Sequence, residues 1–205
     1  LKVAEAINGE DFVPFTEALF IKEPGIGASV AWHRDGTTHW DSPDFDEGTH
    51  GFNFMAQLYG CTSANGVWVV PGSHKERYVD IADMVTRAGS ERIEEAIPMI
   101  CNPGDVVISN RQAVHGSFAN TSSDWRITIN QGFHRRKSVL GVKGGGLHGK
   151  PAVYDAERII ERSKIIKLAI EARKQRFPDE QAFEYKPLSA STEDFTWNAA
   201  ERKRL

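Results

Sequence analysis

The sequence predicts an all-β core of sandwich or barrel type with flanking helices. Three observations carry this expectation. Residues 15–133 run as short stretches rich in β-branched and aromatic side chains, turn residues separate those stretches, and helical periodicity is confined to two segments. The strand stretches are residues 17–21, 28–33, 52–58, 67–70, 97–100, 105–109, 115–119 and 126–133, all suited to a pleated, half-buried surface. Asn65-Gly66 between the third and fourth reads as a hairpin turn, and Pro71-Gly72-Ser73 closes the fourth. Asn102-Pro103-Gly104-Asp105 is a further turn.

Helix enters at two places. Ile81, Met84, Val85 and Ala88 recur at helical spacing and predict a short amphipathic helix packed outside the sheets. His134-Arg135-Arg136-Lys137 and Gly144-Gly145-Gly146 have no periodicity and read as loop. Pro151 suits the first turn of a C-terminal helix that carries Ile159, Ile160, Ile165, Ile166, Leu168 and Ile170 to about Phe177, where Pro178 stops it. Its apolar stripe has to be buried, either against the barrel or as a homo-oligomer contact with a second subunit. The polar tail from Gln181 has Phe183, Tyr185, Phe195 and Trp197 as anchors. A single domain is expected, with its core in residues 1–140 and the glycine-rich loop, helix and tail of 141–205 packed onto it. The chain opens on Leu1 and enters strand-like sequence almost at once, which predicts an upstream segment carrying any targeting signal.

Composition excludes several classes of function. A net charge of −3 and a pI near 6.2 supply no broad positive field for nucleic acid or an anionic membrane. No apolar stretch approaches the roughly 20 residues that span a bilayer. Cys61 and Cys101 show neither CxxC spacing nor the density of a disulfide scaffold, so they read as buried thiols of a cytoplasmic, reducing compartment. The expected partner is a small-molecule substrate.

The chemistry centres on Trp32-His33-Arg34-Asp35-Gly36 at the end of a strand. Residues i and i+2 of an extended segment point to the same side, so His33 and Asp35 can grip one ion together. A histidine from a distant strand would complete a facial set of two imidazoles and a carboxylate, which leaves open positions on non-haem Fe(II). His115, following the apolar strand Val106-Val107-Ile108, is the candidate. Arg126 lies eleven residues further on and begins the alternating run Arg126-Ile127-Thr128-Ile129-Asn130. From a strand beside His115 its guanidinium can clasp the distal carboxylate of 2-oxoglutarate, while that molecule's other end chelates the iron.

These residues, together with Asn65-Gly66-Val67-Trp68-Val69-Val70-Pro71-Gly72-Ser73-His74-Lys75, Asn102-Pro103-Gly104-Asp105 and the spacing from His115 to Arg126, resemble the phytanoyl-CoA dioxygenase-like branch of the Fe(II)/2-oxoglutarate oxygenases. The resemblance covers residues 15–133. It implies a double-stranded β-helix, the cupin-like jelly roll, with iron at one open end. It also implies consumption of O2 and 2-oxoglutarate, release of succinate and CO2, and oxidation of the substrate, usually to an alcohol. In related halogenases a small residue replaces the carboxylate to admit halide, so Asp35 favours hydroxylation; desaturation and ring formation share the same ligands and stay open. The resemblance also implies a helical scaffold N-terminal to the core, which is expected to lie upstream of Leu1.

Supporting residues are less specific. His39-Trp40-Asp41 is a second His-x-Asp, but it lies in a polar loop, residues 37–51, that suits a lid over the substrate or a solvated surface. Asn53, Met55 and Gln57 alternate onto one strand face, with Phe52, Phe54, Ala56 and Leu58 on or near the other; an inward polar face would contact the cosubstrate through Asn53 and Gln57. Ser117 shares the side of His115 and is placed to hydrogen-bond the cosubstrate. His74 belongs to a structural turn, and Trp68 and Trp125 read as core aromatics. Gly144, Gly149 and Lys150 have P-loop spacing, but Pro151 stands where Ser or Thr is required. Arg135, Arg136, Lys137, Lys143 and Lys150 form a basic loop, either solvated or greeting an anionic or acyl substrate. Two other readings stand beside the oxygenase. One is a non-catalytic jelly-roll binding module; the other is a cupin-type metalloenzyme that does not use 2-oxoglutarate.

Overall fold

The computed structural model describes residues 1–35, 50–144 and 152–204. Its elements, in chain order, are α1 (Lys2–Asn8), β1 (Val13–Lys22), β2 (Val30–His33), β3 (Gly51–Gln57), β4 (Val67–Val69), α2 (Ile81–Ala88), β5 (Ile97–Pro98), β6 (Val106–Asn110), β7 (His115–Ser117), β8 (Arg126–His134), α3 (Arg136–Val139), β9 (Lys143–Gly144), β10 (Ala152–Val153), α4 (Ala156–Arg176) and α5 (Ala199–Arg204). Each strand stretch anticipated from the sequence overlaps one of the strands β1 to β8.

These strands form two four-stranded sheets, ordered β1-β8-β3-β6 and β2-β7-β4-β5. Strands equidistant from the middle of the series are neighbours: β1 with β8, β2 with β7, β3 with β6, and β4 with β5. The antiparallel pairings of the last three follow a long hairpin folded over on itself, with β7 pairing additionally to β4. Such a fold alternates the chain between two layers, and the layers bury their facing side chains between them.

Several local expectations change. β3 and β4 belong to different sheets, so the turn at Asn65-Gly66 carries the chain from one layer to the other and closes no hairpin. It is held by Thr62 N–H donating to Asn65 Oδ1 at 2.8 Å and Gly66 N–H donating to Thr62 O at 2.8 Å. The first residues, read as strand-like, form the helix α1 instead. The loop after Phe133 contains the single turn α3 and a two-stranded ribbon of β9 and β10, whose backbone pairing leaves no trace in side-chain periodicity. The C-terminal helix starts at Ala156, because Asp155 accepts a hydrogen bond from Arg158 N–H at 2.8 Å and satisfies an otherwise orphaned donor of the first turn. Pro151, proposed for that turn, lies outside the described residues, as do Gly149 and Lys150.

Contacts group the chain into two units, Thr16–Gly132 and Leu1–Phe15 with Phe133–Leu205. In the first, Trp32, Val70, Ile93, Ala96, Val114 and Phe118 form a core, against which Ile81, Met84 and Val85 of α2 pack. The amphipathic helix thus lies outside the sheets as its periodicity required. In the second, Ile159 of α4 joins Val13, Phe15, Val139 and Tyr154. The tail anchors here through Tyr185, fully buried, whose hydroxyl donates to Phe12 O at 2.7 Å. Burying such a side chain contributes about 1.5–3 kcal/mol. Among the described residues, no helix is long and apolar enough to cross a membrane.

Gly66 is demanded by space. A Cβ at this position would stand 2.6 Å from Thr62 O, a backbone atom that cannot swing aside. Gly66→Ala is expected to cost about 1–3 kcal/mol, read as a lowered midpoint in thermal or urea unfolding followed by circular dichroism.

Candidate functional site

Strands β2 and β7 build the site by their register. His33 stands directly opposite His115 across the ladder, and their ring centroids are 4.3 Å apart. β2 ends at His33, so Asp35 sits in a turn rather than in the extended segment first assumed. Its backbone N–H donates to Arg111 O at 3.0 Å, which brings the carboxylate back over the two imidazoles. Asp35 Oδ1 lies 3.4 Å from His33 Nε2, and Oδ2 lies 3.7 Å from His115 Nε2. One donor atom from each of the three residues falls within 4.8 Å of the others, a grouping that could hold a metal ion.

The protonation pattern suits that use. His33 Nδ1 is 2.8 Å from Ala31 O and His115 Nδ1 is 2.9 Å from Ala113 O. A carbonyl can only accept, so each Nδ1 carries the hydrogen and each Nε2 of the neutral ring presents its lone pair to the common centre. Burial would raise the Asp35 carboxyl, but the His33 hydrogen bond, the Arg111 charge, His115 and the Asn53 amide hold it well below the usual range. His33 is raised, mainly by its hydrogen bond to Asp35, whereas burial lowers His115.

Two further residues orient the carboxylate. Asn53 Nδ2 donates to Asp35 Oδ2 at 2.8 Å, and Arg111 Nη1 donates to Asn53 Oδ1 at 2.7 Å while Nη2 lies 3.6 Å from Asp35 Oδ2. Asn53, Met55 and Gln57 are all buried, so the polar side of β3 does face inward; Phe52, expected near the other face, is buried as well. Asn53 has both ends of its amide engaged, Nδ2 by Asp35 and Oδ1 by Arg111, which places it beside the carboxylate. Arg111 carried no sequence pattern, since its position at the end of β6 matters only once Asp35 folds over it.

A second polar group lies around Arg126, itself buried at 3% exposure. Its Nη1 donates to Ser117 Oγ at 2.8 Å and to Asn65 O at 3.2 Å, and its Nε to Thr128 Oγ1 at 3.2 Å. Thr128 Oγ1 in turn donates to Gln57 Oε1 at 2.6 Å. Ser117 and Gln57 thus join Arg126, while Asn53 belongs to the metal-side cluster. Lys22 was missed by sequence reasoning. Buried at the end of β1, it donates to Phe118 O, and burial with the charge of Arg126 pushes its ammonium down to about 8. The available signal was alternation: Glu17, Leu19 and Ile21 are exposed, and Lys22 falls on the opposite, inward series. Neither cation makes an ion pair with a described residue.

Other candidates fall elsewhere. His39, Asp41, Asp44, Asp46 and Glu47 lie outside the described residues. His74 sits in a single 3-10 turn, residues 73–75. Trp125 is 39% exposed and therefore no core aromatic, because it precedes β8 where the chain is at the surface.

The phytanoyl-CoA dioxygenase (PhyH) family matches this chain over residues 2–128. The chain belongs to that family. The dioxygenase lolE1 of Epichloe uncinata is 31% identical over 144 residues, covering 69% of this chain and 50% of that protein. Phytanoyl-CoA dioxygenase 1 of Oryza sativa subsp. japonica is 30% identical over 115 residues, covering 52% of this chain and 39% of its own. This phytanoyl-CoA dioxygenase family member therefore spans half or less of the length of these curated relatives. Among solved structures, EctD from S. alaskensis with 2-oxoglutarate and 5-hydroxyectoine superposes with a TM-score of 0.54 at 22% identity, over 67% of this chain and 49% of that one. EvdMO1 gives 0.52 at 31% identity, over 66% and 30%.

Metal affinity should follow His33. Its raised pKa lies above the ordinary 6.5, so the metal-free fold gains from the bound proton below that value and loses the gain as pH rises through the folded pKa. A metal ion must displace this proton. Affinity is expected to rise about tenfold per pH unit below the His33 pKa and to level off above it. Asp35 stays ionised throughout that window, and isothermal titration at several pH values checks the slope.

Proposed function

We propose that this chain is a non-haem Fe(II)/2-oxoglutarate-dependent dioxygenase that hydroxylates a small organic substrate. The observation that carries the reading is the juxtaposition on β7. His115 faces the metal-side cluster, and Ser117, two residues along the same strand and so roughly 7 Å away, receives the guanidinium of Arg126. A five-carbon dicarboxylate suits that span, with its 2-oxo acid end at the metal and its far carboxylate at Arg126. The sheet orders support a double-stranded β-helix, since eight strands paired as a folded hairpin and split between two layers are the jelly-roll arrangement.

Each residue then has a task. His33, Asp35 and His115 would hold the iron on one face. Arg126, with Lys22 beside it, would neutralise the distal carboxylate, and Ser117 would fix its orientation. Two buried cations without a described acid partner are costly unless an anion compensates them, which favours a dicarboxylate cosubstrate over a cupin-type enzyme using metal alone. When bound, the iron would couple O2 reduction to 2-oxoglutarate decarboxylation, giving succinate and CO2, and to oxidation of the substrate. Asp35 fills the position that a halide would need, which favours hydroxylation over halogenation.

The test is anaerobic addition of Fe(II) and 2-oxoglutarate to the metal-free protein. Wild type is expected to show the weak visible charge-transfer band of a chelated 2-oxo acid, and His115→Ala to lose it. Arg126→Met should keep metal binding but raise the 2-oxoglutarate concentration for half-formation of the band by about 10- to 100-fold, the value of losing a charge-assisted hydrogen bond in a buried site. A folded wild type that binds Fe(II) without a band would refute the cosubstrate assignment.

A further inference from the structure

Arg34 stands between the two ligand candidates of the first strand and points away from them. It is buried, at 7% exposure. Its guanidinium donates to backbone carbonyls: Nε to Gln112 O at 2.7 Å, Nη1 to Arg77 O at 3.0 Å, and Nη2 to Ser73 O at 3.3 Å and Glu76 O at 2.6 Å. Those carbonyls belong to two places, the turn around residues 73–77 and the segment that leads into β7. Ser73 closes the circuit. Its Oγ accepts from Val114 N–H at 2.8 Å and donates to Val70 O at 2.7 Å, while Val70 N–H donates to Val114 O at 2.9 Å. The turn is therefore bonded on one side to the residue between His33 and Asp35, and on the other to the residue just before His115.

We propose that Arg34 is a positioning residue that sets the spacing of His33 and Asp35 against His115 through this shared turn. The inference rests on the metal-centre reading above. β2 and β7 are held together by a short ladder with an irregular register between Val30 and His33, and Asp35 lies beyond its end. Backbone pairing alone leaves the carboxylate on a turn. The guanidinium supplies the missing rigidity because its planar fork offers several donors in fixed directions, so the peptide on either side of Arg34 cannot rotate without breaking bonds to Gln112 and Glu76 together. Lysine in its place keeps the charge but offers fewer donors on a flexible stem.

The experiment compares Fe(II) binding to the full 205-residue chain in wild type, Arg34→Lys and Arg34→Met, by anaerobic titration at a temperature where circular dichroism shows each folded. Co(II) serves as a spectroscopic probe of ligand geometry in parallel. Outer-shell partners of metal ligands affect affinity by about 10- to 100-fold, and the dissociation constant is expected to rise by that amount in Arg34→Met, less in Arg34→Lys, with altered Co(II) d–d bands in both. Ile93→Ala, in the neighbouring core, controls for general destabilisation: it should lower the unfolding midpoint and leave metal affinity and the Co(II) spectrum as in wild type. Unchanged affinity and spectrum in either folded Arg34 variant overturns the proposal, and if Arg34→Met does not fold, Arg34→Lys decides alone. Failure of wild type itself to bind metal would instead overturn the metal-centre reading, so the two failures are distinct.

Discussion

The ladder between β2 and β7 is the constraint on which the site depends. A register in which His33 faces His115 sets two imidazoles side by side, and slippage by one residue would turn one of them to the opposite face of the sheet. Asp35 needs no ladder of its own, because its backbone bond to Arg111 O returns the carboxylate to the same point. Each histidine bonds the carbonyl two residues before it, Ala31 O for His33 and Ala113 O for His115, and that bond sets the tautomer in which Nε2 faces the shared centre.

Several polar side chains are buried along the strands of the two sheets. Asn53, Gln57, Ser117, Arg126, Thr128 and Lys22 are buried there, arranged as two groups along the strands. Around Asp35 the charges compensate one another: an aspartate faces an arginine and two histidines, and Asn53 bridges Asp35 and Arg111. Around Arg126 the balance is one-sided, with Lys22 close enough to be lowered by it. Taking two cations out of water opposes folding unless a counter-charge compensates them, and among the described residues no acid pairs with either.

Much of this was legible in the linear sequence, for identifiable reasons. Strand alternation marked each strand of the two sheets, and the i, i+2 relation of His115 and Ser117 follows from the pleat alone, whereas Asp35 lies in a turn beyond β2 and reaches His33 through its backbone bond to Arg111 O. Other features were not legible. Arg111 meets Thr16, Asn53 and Asp35, all distant from it in sequence. Lys22 was hidden because a strand-end lysine usually reaches solvent, and only its place in the inward series of β1 distinguished it. The ribbon of β9 and β10 involves backbone bonds that no side-chain pattern reports, and α1 was obscured by its brevity.

By itself the sequence determined which side chains could share a strand face, because the two-residue period of a strand is a property of the backbone and needs no knowledge of neighbours. It also determined the chemical types available: two imidazoles, one carboxylate and a guanidinium. Only the tertiary structure decided that His33 meets His115, that Asn53 serves Asp35 whereas Gln57 serves the Arg126 group, and that Arg34 turns its charge onto the carbonyls of a distant turn. Those pairings depend on register between segments far apart in the chain, and register is set by long-range packing and backbone hydrogen bonding, to which the identity of any single residue is nearly silent.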